Sequence, residues 1–398
     1  MTKRRPATTW RVTGMGSVTA VGRGVAALFD AWLAGECGLR PVTRFPTDRL
    51  PVRIGGEMPE PPAPWPSGLR GAAHLADAVG EALASSRLPR GARVAVVVAT
   101  TKGFLDEGRR TGGGDRAHDV GEPARFLAEH LRRRCGARVP PEGHTLGPVS
   151  VSTACASGTS ALAFAAARGP RYAEAGIDAV VVAGVDLLSD FVFRGFAALA
   201  AMDPAPCRPF DRSRAGMSAS EAAAALVLEP DASADARSAP RFGRIAGWGL
   251  ANDATHPTAP DREGAGLACA IRDSLGRAGI APRDLGHVHA HGTATVFNDA
   301  MEVRALAQSL GPAAASVPVS TLKGTIGHAF GAAGLVETVA SLEAVRRGVL
   351  PAVRGLRDPE PGLRFATGPV CLESPWFLKV GAGFGGFDAA IVVEGARS

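Results

Sequence analysis

Short runs that are apolar at every position alternate along this chain with longer segments whose apolar residues recur at helical spacing. Ala92 to Thr101 (ARVAVVVATT), Ile177 to Asp186 (IDAVVVAGVD) and Ala223 to Pro230 are of strand length. A continuous apolar run of that length predicts a strand covered on both faces. Further strands are expected at Arg11–Val18, Arg244–Leu250, Gly286–Gly292, Phe377–Ala382 and Ala389–Glu394. Helices are expected at Ala26–Ala34, Gly71–Ser86, Ala124–Arg134 and Glu263–Ala278; the last carries Leu267, Ile271 and Leu275 on one face. Strands alternating with helices in this way predict an α/β protein with buried sheets. The Pro-rich stretch Pro51–Pro66 reads as an extended surface loop, because proline removes ladder donors. Residues 102–147 read as an irregular excursion from the core. Its basic run Arg132–Arg134 is taken as a solvated helix end rather than a docking surface for an acidic partner.

Two segments repeat one plan. Pro148 to Gly169 (PVSVSTACASGTSALAFAAARG) and Pro318 to Gly348 (PVSTLKGTIGHAFGAAGLVETVASLEAVRRG) each run from a PVS strand through a turn into a small-residue helix ending near Arg-Gly. This is a weak internal duplication at about half the chain length. It divides the chain into an N-terminal half, 1–232, and a C-terminal half, 241–398, joined by the polar connection 233–240 (SADARSAP).

Composition narrows the class. The 398 residues are 46% hydrophobic and 21% charged, enough for a large buried core and unlike a disordered chain. The net charge of +6 is modest and the basic residues are scattered, with no zinc-finger or basic-aromatic module, so nucleic-acid reading is not expected. The 6 cysteines are far apart and form no CxxC pair, which fits reduced thiols in a cytoplasm better than a disulfide framework. The start MTKRRPATTW lacks an apolar core behind its charges, and the run Ala179–Leu188 is too short to span a bilayer. A soluble cytoplasmic protein is expected.

The candidate chemistry clusters at strand ends beside glycines. Cys155 sits in the first PVS turn, just ahead of a helix N-terminus whose free N–H groups and dipole favour an anion. That placement is expected to lower the thiol pKa and make a thiolate nucleophile. The alternative is a buried cysteine packed as a small hydrophobe, and this stretch alone does not decide. His291 lies in His291-Gly292-Thr293-Ala294-Thr295, Lys323 and His328 flank the second glycine-rich turn, and Gly383-Phe384-Gly385-Gly386 offers backbone N–H groups. A thiolate could hold an acyl group, two neutral imidazoles could donate to an oxygen gaining charge, and the N–H groups of Cys155 and Phe384 could form an oxyanion hole. The plainer readings are a histidine satisfying a carbonyl, a surface lysine and glycines placed for packing. His287, His289 and His291, two apart on a strand, could instead present three metal ligands. That reading ranks lower, because a zinc hydrolase would leave Cys155 and the second turn without a role.

Taken together, ACASG at Cys155, HGTAT at His291, KGTIGHAFGAAG from Lys323 and GFGG near the C-terminus resemble the β-ketoacyl-acyl carrier protein synthases, nearest the elongating enzymes and type II polyketide ketosynthases. VTGMGSVTAVG, AGECG, RPFD and VLE extend the resemblance over nearly the whole chain. Any one motif is weak; their joint order is specific. The resemblance implies a thiolase fold, two similar halves each with a central mixed β-sheet in a layered α-β-α-β-α arrangement. It implies Cys155 as the acyl-accepting nucleophile and His291 and His328 as the pair that promotes malonyl decarboxylation. Lys323 would support the second histidine with Glu337 as its acidic partner, and Asp299 and Glu302 would back the HGTAT turn. Thr293 and Thr295 would contact the phosphopantetheine arm, and Phe384 would gate the acyl pocket. No metal and no resident cofactor are implied, since the phosphopantetheine arm arrives on the acyl carrier protein. The implied assembly is a homodimer, or a heterodimer with a chain-length-factor-like subunit.

Some positions depart from the family pattern. Ser220-Glu221-Ala222-Ala223-Ala224 stands where GEGAG is usual, Phe387-Asp388 where Thr-Asn follows GFGG, and His289 where Glu or Asn is common. Residues 103–147 do not read in the usual form. These changes leave the catalytic groups in place and point to a specialised pathway. The reading is a decarboxylating Claisen condensing enzyme. Its alternatives are an acyltransferase or decarboxylase using the same site, and a non-elongating partner subunit of a ketosynthase heterodimer.

Overall fold

The structure is a computed structural model and describes residues 10–61, 69–105 and 119–397. Residues 62–68, which include the end of the Pro-rich stretch, and 106–118, part of the expected excursion, lie outside the described residues. The strands that build the molecule are β1 (Trp10–Thr19), β2 (Val94–Ala99), β3 (Val149–Val151), β4 (Ala179–Asp186), β5 (Ala222–Pro230), β6 (Gly243–Asn252), β7 (His287–His289), β8 (Pro318–Ser320), β9 (Arg364–Phe365), β10 (Trp376–Gly383) and β11 (Phe387–Gly395). The principal helices are α1 (Arg70–Ser86), α2 (Glu122–Cys135), α3 (Ser157–Ala167), α4 (Ala265–Ala278), α5 (Val296–Leu310) and α6 (Ala333–Arg347).

The strands follow the hydrogen-bonded order β9-β8-β7-β10-β11-β6-β1-β5-β4-β2-β3. The two expected sheets are therefore one path, joined where β1 meets β6 at a single register pair, Val12 with Gly243. From that junction outward the two sides match. On one side β1–β5 and β5–β4 are antiparallel, then β4–β2 and β2–β3 are parallel. On the other, β6–β11 and β11–β10 are antiparallel, then β10–β7 and β7–β8 are parallel. The two PVS segments, β3 and β8, occupy equivalent positions in this pattern, so the repeat read in the sequence is a repeat of topology.

Side-chain alternation sorts the strands into layers. On β2, Val94, Val96 and Val98 join an apolar cluster under α1 and α2, while Ala95, Val97 and Ala99 join a different cluster with α3 and α6. On β11, Ala390 and Val392 face a third cluster with α4 and α5, while Ile391 and Val393 face the α3–α6 cluster. Successive strand residues point to opposite faces, so an uninterrupted apolar run is what two-sided burial requires. The result is a five-layer order: α1 and α2, strands, α3 and α6, strands, α4 and α5. The two middle helices have no wet face. Every residue of α6 from Ala333 to Val345 is buried, and so is α3 from Ser157 to Ala163. An amphipathic stripe would have no water to meet there, which accounts for the small, evenly apolar composition of α3; the buried polar groups of α6, Glu337 and Ser341 among them, meet protein partners instead. The outer helices lie close on the strands over glycine pairs. Side chains at Gly14 and Gly16 would strike the carbonyls of Ala82 and Ala78 on α1, and at Gly247 and Gly249 those of Ser274 and Ala270 on α4.

Three expectations are corrected. The Pro-rich stretch is not wholly a surface loop: Ile54–Gly56 pairs antiparallel with Leu39–Pro41, and Val52 and Met58 are buried. The excursion returns to the core, since Phe104, Leu127 and Leu131 pack in the α1–α2 cluster. The connection 233–240 begins inside a short helix, Asp231–Ala236, which buries Ala234. No helix among the described residues is long and apolar enough to cross a membrane.

Candidate active site

Cys155 lies on the tight turn between β3 and α3. Ala154 before it takes a left-handed conformation (φ 48), a cost that a non-glycine residue bears only when its surroundings hold it. Here Ser157 does the holding: its Oγ donates to Ala154 O and accepts from Thr153 N at 2.9 Å. The Gly383–Gly386 turn at the end of β10 closes over Cys155. A side chain at Gly383 would lie 3.1 Å from Cys155 N and 2.9 Å from Thr153 O, so only glycine allows this approach. The next residue, Phe384, thereby brings its backbone to the nucleophile, and its ring meets Phe196 at 5.5 Å.

The HGTAT turn follows β7. Gly292 (φ 49) and Ala294 (φ 67) are both left-handed. Two carboxylates from the first half of α5 brace it. Glu302 accepts from His291 N and from Gly292 N at 2.8 Å, and Asp299 accepts from Ala294 N at 3.1 Å and Phe210 N at 2.7 Å. Burial raises both carboxyls, Glu302 to about 7 with Asp299 adding to the effect. Thr293 and Thr295 share a hydroxyl–hydroxyl bond of 2.9 Å at the cavity wall.

Lys323 starts a short helix after β8 and is fully buried. Its ammonium donates to His291 O and pairs with Glu337 on α6. No bond from it to the His328 ring is present, so it reaches the first histidine's backbone instead. His328 is fixed through its main chain, donating to Ser218 O at 2.7 Å and accepting from Ser220 N at 3.0 Å. Both of its ring nitrogens are buried and have no hydrogen-bond partner among the described residues. The His291 and His328 rings meet edge to face at 5.3 Å. Asp186, the break in an otherwise apolar strand, accepts from Gly331 N at 2.7 Å and Thr101 N at 3.0 Å, and so ties the His328 turn to β4.

These elements enclose one cavity of about 310 Å³ whose walls include Cys155, His291, His328, Thr293, Thr295 and Phe384. Lys323, Glu337, Asp299 and Glu302 stand behind that wall. The electrostatics differ from expectation at the thiol. Burial pushes Cys155 up to about 12, against a smaller opposing pull from Lys323. The helix N-terminus is where it was expected, but desolvation of a thiolate outweighs it. Burial also holds His328 down at about 3 and His291 well below its ordinary value, with Lys323 adding to both. The two imidazoles are therefore neutral at physiological pH.

The histidine strand does not converge on one point. His287 stacks on Phe377 at 5.0 Å, and His289 bonds Ser341 Oγ at 2.8 Å and packs against Trp32. Among the described residues no three His, Cys, Asp or Glu side chains come together as a metal site.

Sequence reasoning missed Lys379. It is fully buried in β10, 2.8 Å from Glu337 Oε2, and aligned in register with His289 on β7. The available signal was a lysine inside an apolar strand, Phe377-Leu378-Lys379-Val380, where both faces are covered.

Comparisons with known proteins agree over nearly the whole length. Family models described as "Beta-ketoacyl synthase, N-terminal domain" and "Beta-ketoacyl synthase, C-terminal domain" match residues 11–234 and 242–357. A putative polyketide beta-ketoacyl synthase 1 from Streptomyces cyaneus is 32% identical over 425 residues, covering 96% of this chain and 97% of its own. A 3-oxoacyl-[acyl-carrier-protein] synthase 2 from Coxiella burnetii is 29% identical over 411 residues, with the same coverage of 96% and 97%. Among solved structures, the ishigamide ketosynthase/chain length factor superposes with a TM-score of 0.86 at 27% identity, covering 98% of this chain and 99% of that one.

Proposed function

This chain belongs to the β-ketoacyl synthase family, and on that premise we propose that it catalyses decarboxylative Claisen condensation on acyl carrier protein in fatty-acid-like or type II polyketide synthesis. The observation that carries the reading is the single cavity that brings Cys155, His291 and His328 to one wall. In the first half-reaction the Cys155 sulfur attacks the thioester carbonyl of an acyl-carrier protein. The S–C bond to the carrier breaks, and the thiol proton ends on the departing phosphopantetheine sulfur. Cys155 starts protonated, so that proton must move as the new bond forms; a neutral imidazole at the cavity wall can relay it.

In the second half-reaction malonyl-carrier protein enters past Thr293 and Thr295. Its carboxylate leaves as carbon dioxide, and the electron pair passes to the thioester oxygen as an enolate. N–H donors from the buried rings of His291 and His328 stabilise that charge, where such bonds count most. The enolate carbon attacks the acyl-Cys155 carbonyl, whose oxyanion faces the N–H groups of Cys155 and Phe384. The Cys155–acyl bond breaks, and the sulfur takes up one proton, as its raised pKa favours.

The proposed partners are acyl carrier protein and a second ketosynthase-like subunit, identical or of chain-length-factor type. The names of the relatives support both: acyl-carrier-protein synthase and ketosynthase/chain length factor. No metal or redox cofactor enters the scheme, and the cytoplasm, where carrier proteins are charged, is the proposed location. Retention of Cys155 favours a catalytic subunit over a non-elongating partner. Intact-protein mass spectrometry tests the reading. Acyl mass should appear on the wild type and not on Cys155→Ala, then leave as an elongated product when malonyl-carrier protein is added. Absence of any acyl mass on the wild type, across a panel of acyl-carrier proteins, would overturn it.

A further inference from the structure

We propose that Lys379 is a positioning residue of this site: it shares Glu337 with Lys323 and so leaves a net positive charge beneath the His291–His328 pair. The inference rests on the condensing reading above and concerns the anion that this reading places there.

The geometry is a buried row of alternating charge. Lys323 and Lys379 lie on different elements and approach the two oxygens of one carboxylate, Lys323 at Oε1 and Lys379 at Oε2, the latter at 2.8 Å. All three side chains are buried, at 0%, 0% and 2% exposure, so no water screens them. Two cations against one anion leave the group at +1. With Lys323 alone, Glu337 would cancel the charge; the second lysine prevents the cancellation. A buried lysine is costly unless it is paired; Lys379 also donates to Val380 O, but among the described residues its one ion pair shares an anion already in use. That is an expensive arrangement for packing alone, because a Leu or Met would fill a strand position between apolar neighbours.

The charge faces the reacting centre. Lys323 donates to the His291 carbonyl, and Lys379 is in register with His289, two residues before His291. The ionisable groups that act on Lys379 or feel its charge are Glu337 on α6, Lys323, Glu302 on α5, and the rings of His289, His291 and His328; burial lowers Lys379 itself, with Glu337 opposing, and raises Glu302 to about 7, which withholds much of that carboxylate's charge from the row. Lys379 adds to Lys323 in holding His289, His291 and His328 below their ordinary values, after burial itself. Neutral imidazoles keep their N–H donors for the substrate without adding charges of their own. The fixed +1 behind them favours what the chemistry brings in and creates: the carboxylate of the malonyl unit and the enolate that replaces it.

Charge arithmetic supplies a test that packing cannot imitate. Lys379→Met removes one positive charge and leaves Lys323 and Glu337 paired, so the fold keeps its ion pair. The pKa values of His291, His328 and Glu302 should then rise together. The acid limb of malonyl-carrier protein decarboxylation should move up by about one pH unit, with kcat falling more than KM changes. Glu337→Gln removes a negative charge and should move the limb the opposite way. The double variant Lys379→Met/Glu337→Gln restores +1 through Lys323 alone, and the limb should return toward wild type. Melting temperatures and Cys155 acylation by intact mass are measured beside each. Acylated wild type with a limb that does not move in Lys379→Met overturns this inference and leaves the condensing reading standing. So does a double variant that fails to restore the limb. If Lys379→Met alone fails to fold, the direction of the Glu337→Gln shift and the limb of the double variant still decide.

Discussion

Gly158 on α3 and Gly334 on α6 meet back to back at the centre of the molecule. A methyl group on Gly158 would sit 3.0 Å from Gly334 N and 2.8 Å from Leu335 N, closer than packed atoms allow. The helix that follows the nucleophile and the helix that follows His328 are thus set against each other by the absence of two side chains. Gly158→Ala should destabilise the protein by about 1–3 kcal/mol, the usual cost of overpacking, and move Cys155 away from His328. A lower melting temperature and slower Cys155 acylation are expected. An unchanged melting temperature would show that the helices can slide apart freely.

Alkylation of Cys155 should be slow at neutral pH. With the thiol pushed up to about 12, the thiolate fraction grows about tenfold for each pH unit through the alkaline range. The iodoacetamide rate, read as mass added at Cys155 with Cys155→Ala as the blank, should still be climbing above about pH 9. A plateau near pH 7 would mean that the helix N-terminus outweighs burial after all.

Asp388, where relatives commonly have asparagine, should make stability fall with pH. It is buried beside Asp253, Asp261 and Glu302, and burial first, then those charges, push it up to about 7 from 3.8. The folded state therefore keeps a proton that the unfolded chain releases. The stabilising contribution is complete below the unfolded pKa of 3.8 and is lost as the pH climbs through about 7. Asp388→Asn cannot ionise, so its melting temperature should exceed that of the wild type at about pH 8 and converge with it near pH 4. Parallel curves across that window would contradict the assignment.

Phe330 should limit the acyl chain. Its ring stacks on Phe196 at 5.6 Å and packs against His328 at 5.4 Å, in the apolar cluster that Cys155 also borders. Phe330→Ala removes bulk from that cluster and should let Cys155 accept longer acyl groups in the carrier-protein panel, at a stability cost of about 3–5 kcal/mol. The same chain-length preference in the variant would place the acyl chain elsewhere.

What the sequence determined by itself was the set of elements and the set of reactive groups. Strands apolar at every position announced two-sided burial, because alternation has no meaning where neither face is wet. The repeated PVS-turn-helix segments announced a duplicated topology, and the equivalent strands β3 and β8 carry it. Cys155, His291, Lys323 and His328 were legible because their turns need glycines and small residues at fixed spacing. Tertiary structure alone decided the energies at those groups. The reversal at Cys155 comes from desolvation, which depends on everything that closes over the turn, Gly383 and its loop above all. Glu337 was expected as the partner of Lys323, but its sharing with Lys379 was invisible for the same reason: the three residues sit on three elements, and only folding brings their charges within reach of one another. Local pattern records what each segment can do alone. The dielectric around a charge, and the partner it finds, belong to the assembled core.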